Sequence, residues 1–138
     1  MDLDGTTPMG INSAIERVNS TIHGVSDEYV KAELQSLKEN LSEMRVALVE
    51  LENLEEKHGR GNVTPDTYFD RRMKLVRDFY TAKDAIPSKI IPSIAERAPL
   101  PEEKSVIMKF KGLMKNNKEF VPVIANLLLT VAKVFARV

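Results

Sequence analysis

The chain has no cysteine, no tryptophan and only two histidines, and aromatic residues make up just 6% of its 138 positions. Without cysteine it can form no disulfide, no thiolate metal site and no cysteine nucleophile. No stretch alternates Val, Ile and Thr with polar residues, so strands are not expected. Without a strand–loop–helix unit there is no Rossmann or P-loop signature, and Gly59-Arg60-Gly61 ends a helical stretch instead of following a strand. No serine sits in a nucleophile elbow. The net charge is zero, so the chain as a whole is no polyanion binder. Met1-Asp2-Leu3-Asp4 lacks the basic start and apolar run of a signal peptide, which leads to a cytoplasmic expectation. These absences together predict a binding or structural protein: not an enzyme, with no cofactor and no metal.

Leu, Val, Ile, Ala, Glu and Lys dominate instead, and charged residues reach 29%. That composition predicts an all-α fold: a long antiparallel, coiled-coil-like helical hairpin with a short N-terminal helix and two to three C-terminal helices. Residues 1–10, with Gly5, Pro8 and Gly10, read as a flexible lead-in. Ile11, Ile15, Val18 and Ile22 mark a short amphipathic helix that stops at Gly24. Residues 11–86 then form the expected hairpin core, an assembly domain.

Its first arm opens with Ser26 as the expected N-cap and Asp27 and Glu28 in the first turn. Val30, Leu34, Leu37, Leu41, Met44, Leu48 and Leu51 follow as a heptad seam. If helical throughout, 26–58 spans roughly 50 Å at 1.5 Å per residue. Gly59 and Gly61 end the arm, and Val63-Thr64-Pro65 starts the next, with Thr64 as N-cap and Pro65 at the first helical position. The second arm carries Tyr68, Leu75, Phe79, Ala82 and Ile86 in one line, with Phe69, Met73, Val76 and Tyr80 beside it. That double stripe is broader than one helix covers, so a partner surface is expected along Leu37, Leu41, Leu48, Leu51, Tyr68, Phe69, Met73, Leu75, Val76, Phe79 and Tyr80. Residues 26–58 hold nine acids against four bases, and residues 60–83 six bases against three acids. Arms of opposite sign favour antiparallel pairing, although exposed charges attract only weakly.

Pro87, Pro92, Pro99 and Pro101 are expected to break up 87–100, leaving a connection with at most a short helix around 88–97. Residues 101–138 form the C-terminal segment. Its first helix presents Val106, Ile107, Phe110, Leu113 and Met114 and ends at Asn116-Asn117. The last, from about Phe120 to Val138, is the most apolar, with Asn126, Thr130, Lys133 and Arg137 as its polar line. It reads as a core or docking helix, and peripheral membrane contact is the alternative. Lys104, Lys109, Lys111, Lys115 and Lys118 make a basic band. As a solvated face it needs no ligand; the competing expectation is a helical bundle that binds DNA or an anionic membrane through it. With no interleaved aromatics beyond Phe110, nucleic acid is disfavoured. A further alternative is a homo-oligomer through the Val30–Leu51 seam. Glu55 and His58 stand at the Glu-x-x-His spacing of carboxylate-bundle metal sites, but no second copy exists and a solvated face is expected.

The stretch LENLEEKHGRGNVTPDTYFDRRMKLVRDF resembles the N-terminal core hairpin of the ESCRT-I subunit family called vacuolar protein sorting twenty-eight. Leu54-Glu55 matches the family's Leu-Glu run, Val63-Thr64-Pro65 its helix restart and Tyr68 its early tyrosine. Asn40-Leu41-Ser42-Glu43-Met44 resembles the stretch ahead of them, so the likeness covers about residues 40–86. It implies three hairpins packed side by side in a cytoplasmic hetero-complex, a non-enzymatic scaffold for protein sorting and membrane remodelling. Partners would be the other ESCRT-I-like hairpin subunits, with downstream ESCRT components through 101–138. Only about fifty residues follow Ile86, fewer than the family's separate four-helix recruiting domain, as a short archaeal version would have.

Overall fold

A computed structural model describes residues 3–116 and 119–136, with the side chain of Asn116 excepted; Met1, Asp2, Asn117, Lys118, Arg137 and Val138 lie outside the described residues. Within them the chain is all-helical: α1 (Pro8–Gly24), α2 (Glu28–Gly59), α3 (Pro65–Ala85), a π turn (Ile86–Ile90), α4 (Ile91–Glu96), α5 (Pro101–Asn116) and α6 (Phe120–Val134). The heptad seam is the axis of the core. Val30, Leu34, Leu37, Leu41, Met44 and Leu48 are fully buried, together with Ile11, Ala14 and Val18 of α1 and Ile124, Leu127 and Val131 of α6.

Within the segment expected as a flexible lead-in, Pro8 to Gly10 already belong to α1. Leu3 and Thr6 exchange backbone hydrogen bonds, each 3.1 Å. Asp4 adopts φ 57° and pairs with Lys83 of α3, while Thr6 is completely buried. Thr7 caps α1 by accepting from the Gly10 N–H, and Pro8 takes a first-turn position where its missing N–H is harmless.

The cap of α2 is Asp27, one residue later than expected. Its Oδ1 accepts from the N–H groups of Tyr29 (2.9 Å) and Val30 (3.1 Å). Its other oxygen, Oδ2, accepts from Arg97 Nε (3.2 Å) and Nη2 (3.0 Å). Ser26 has no such second use, which is why the bidentate carboxylate takes the position. Burial pushes the Asp27 carboxyl up, but the Val30 N–H and the Arg97 guanidinium outweigh it and hold it below its usual 3.8. A depressed carboxylate stabilises the fold above its unfolded pKa, and that contribution is lost as pH falls through the folded value. Asp27→Ala is therefore expected to cost about 1–2 kcal/mol at neutral pH. Urea melts at successively lower pH should show the gap to wild type closing below pH 3.8; a constant gap would contradict the assignment.

The prolines after Ile86 do not break the second arm. Pro87 and Pro92 fall at the starts of the π turn and of α4, where a missing donor is tolerated. The ladder is reset by one residue: the Ile91 N–H bonds to the Ile86 carbonyl instead of following the α pattern. Lys83 O accepts from the Ile86 N–H, and Asp84 O from Ser88 Oγ at 2.7 Å, so the freed carbonyls keep partners. Helix α3, the π turn and α4, of 21, 5 and 6 residues, together equal the 32 of α2. Tyr68 of α3 bonds to Glu55 near the end of α2, and Arg97 after α4 bonds to Asp27 at its start. Helices α1 and α6 pack together at one side, with Val25 and Ala136 bridging at their far ends, and α5 closes on α4 and α6. No helix of the described residues is long and apolar enough to cross a membrane.

Candidate partner-binding surface

The contiguous core runs along α2 only as far as Leu48 and re-enters the second arm at Phe79. Beyond those points the two arms cover each other alone. Leu51, Leu54 and Tyr68 are still buried there, but as a satellite pinned between the arms.

The turn at the tip is built as its sequence dictates. The Asn62 N–H reaches the Lys57 carbonyl (2.9 Å) and the Gly61 N–H the His58 carbonyl (3.1 Å), the paired bonds of a Schellman cap. Gly61 sits at φ 72°, a conformation that glycine adopts without steric cost. Thr64 then accepts from the Thr67 N–H (3.3 Å) and Pro65 opens α3, while Val63 is half-buried at the join. Glu55 and His58 share a job that their spacing alone did not reveal. His58 stacks on the Tyr68 ring, centroids 3.9 Å apart, and Glu55 Oε1 accepts from Tyr68 Oη at 2.6 Å. Arg72 Nε stands 3.5 Å from the same carboxylate. That hydrogen bond, then desolvation and the Glu55 charge, raise the Tyr68 phenol above 10.0. A tyrosine thirteen residues downstream is the signal that would have linked the three: it stands one tight turn away, opposite the last turns of α2. No group of three His, Asp or Glu side chains able to hold a metal occurs among the described residues.

The double stripe of α3 separates into an inner and an outer line. Tyr68, Phe79 and Ala82 face α2 and are buried. Leu37, Leu41, Leu48 and Leu51, expected on the same surface, are also buried within the chain and present nothing outward. Leu75, Val76 and Tyr80 are half-buried. Phe69 and Met73 are each 61% exposed, four residues apart on one helix face, and they head the outer line that Val76 and Tyr80 continue. On the opposite side of the pair, Leu75 lies in a groove of about 400 Å³ with Val46, Ala47, Glu50 and Asp78. The groove is flanked by the acidic ridge of Glu43 and Glu50 on α2 and, next to it, by Arg71 and Lys74 on α3. The sequence expectation puts two apolar lines side by side on α3. Helical spacing alone could not say which of two adjacent lines would meet α2.

Comparison with protein-family models, with curated proteins and with solved structures returned no match.

Proposed function

We propose that the chain is a non-enzymatic scaffold subunit whose paired arms act as a coiled-coil-like hairpin and assemble with partner helical hairpins. The observation that carries this reading is the outer line on the part of the arms that no other helix covers: Phe69 and Met73 stand open to solvent there. Large exposed apolar groups at helical spacing are the chemistry of a helix–helix interface. The resemblance of residues 40–86 to the vacuolar protein sorting twenty-eight family supports an ESCRT-I-like complex as the setting, with a role in protein sorting and membrane remodelling. On this reading the base of the hairpin is satisfied within the chain, and only its distal half recruits.

The test is a Phe69→Asp/Met73→Asp double variant mixed with the two other hairpin subunits of an ESCRT-I-like headpiece. Both side chains are exposed, so the variant should keep the wild-type circular dichroism spectrum. Size-exclusion chromatography with light scattering should show the complex lost, because charges would be buried unpaired at the interface. Assembly at wild-type strength would remove the proposal. Light scattering of the chain alone addresses self-association: seam residues Val30 to Leu48 are fully buried in the single chain, so a monomer is expected.

A further inference from the structure

The outer side of α5 combines two properties, unpaired positive charge and exposed apolar groups. From Lys104 to Asn116 the sequence holds four lysines and no acidic residue. On the arms, three cations are answered locally: Arg60 by Glu56, Arg72 by Glu55 and Lys74 by Asp78. None of Lys104, Lys109, Lys111 and Lys115 has a carboxylate within ion-pair distance among the described residues. Lys104, Met108, Lys111 and Lys115 fall on one line of the helix.

Aliphatic side chains share the solvent side of the helix with these lysines: Met108 in their line, Val106 and Leu113 on the other flank next to Lys109, and Leu100 just ahead of the helix. Leu100 is 54% exposed, Val106 42%, Met108 38% and Leu113 47%, four large apolar groups open to solvent within fourteen residues. Ile107, Phe110 and Met114 supply the buried face, so the exposed four are not needed by the core. Ser105 and Gly112, seven residues apart, occupy the ridge between the lysine line and the Val106–Leu113 line. A Cβ placed on Gly112 would meet nothing within 4 Å, so no bulk there holds a flat surface away.

We propose that this face of α5 is a contact for an anionic lipid surface. Unpaired ammonium groups reach phosphate and carboxylate headgroups, while Met108 in the lysine line and Leu113 and Val106 beside Lys109 meet the boundary of the acyl region. A duplex phosphate backbone would use the lysines but leave Leu100, Val106, Met108 and Leu113 without a role, and the face offers neither arginine forks nor an exposed aromatic ring for stacking. The contact stands apart from the arms: it uses no residue of the outer line.

The experiment is co-sedimentation of the whole chain with phosphatidylcholine vesicles, with and without phosphatidylserine, at low and at raised salt. Wild type is expected to bind the serine-containing vesicles and to lose them as salt rises, with little binding to phosphatidylcholine alone. Each lysine near a charged leaflet is worth about fivefold in partitioning, so Lys104→Gln/Lys109→Gln/Lys115→Gln should weaken it by about a hundredfold. Val106→Ser/Leu113→Ser should weaken it further at raised salt, where the apolar part is what remains. Because all five side chains are exposed, melting temperatures should match wild type. Three results each overturn the proposal: no wild-type binding to anionic vesicles at low salt, unchanged binding by the lysine variant, or binding to duplex DNA in place of vesicles.

Discussion

Phe79→Ala is expected to remove about 3–5 kcal/mol of stability, a large share of what a single domain has. The ring is completely buried and is one of the two largest side chains in that state, the other being Phe120. It meets Tyr80 edge-on, centroids 5.1 Å apart and planes at 87°, and it sits where α3 passes from the uncovered distal arms into the bundle. Truncation there leaves a void that α2 and α3 cannot close without losing the seam contacts on either side. Urea denaturation followed by circular dichroism checks it, and a loss below about 1 kcal/mol would mean the site can collapse. The same burial makes Phe79→Asp useless as a probe of assembly, since a charge at that position unfolds the chain before any partner is lost.

The second large effect concerns Lys83, the one charged side chain buried among the described residues. Its ammonium pairs with Asp4 and lies 5.4 Å from the centre of the Phe120 ring and 5.8 Å from that of Tyr80. The surroundings reach the Tyr80 phenol as well: burial first, then the charges of Asp4 and Asp84, raise it above 10.0. Asp4→Ala would leave the lysine buried with aromatic faces but no carboxylate. A lone buried charge costs about 3–5 kcal/mol, and the partial exposure of Asp4 brings the expectation to about 2 kcal/mol. Lys83→Met should be nearly neutral, because it removes the charge and keeps the volume. Combining it with Asp4→Ala should cost far less than Asp4→Ala alone. Denaturation of the four proteins gives this cycle, and additive losses would mean that the pair is not coupled.

The all-helical class could be read from the chain because it rests on local signals that agree. The seam from Val30 to Leu51 repeats at the helical period, and each of its seven positions is buried. Gly61, Thr64 and Pro65 each do in the turn what their backbone preferences allow. What could not be read was tertiary. Asp27 caps α2 with one oxygen and holds Arg97, seventy residues away, with the other, a second use that local spacing cannot show. Asp4 fixes the N-terminal turn only because Lys83 lies beneath it. Pro87 and Pro92 signal a break in any single-helix reading, and the π turn that absorbs them leaves no mark on hydrophobic spacing until the partner helix is in place. In the candidate surface, sequence supplied Phe69 and Met73 but also buried Leu37, Leu41 and Phe79. Periodicity finds apolar faces without saying which are already spent.

The π turn also sets rotational phase. In an unbroken α-helix each residue turns about 100°, and Ile91 and Ile94 would lie well round the cylinder from Phe79, Ala82 and Ile86. The extra residue in the ladder undoes that drift, so Ile91, Ile94 and Ala98 return to the line of Phe79 and Ile86 and are buried with them. The segment works as a one-tooth gear between the free half of the arm and the anchored half. Removing one residue from 86–90 would give a more regular helix, yet it would swing Ile91 and Ile94 out of the core and carry Arg97 away from Asp27. The chain tolerates its prolines there because the irregularity they impose is the one that keeps its two halves in register.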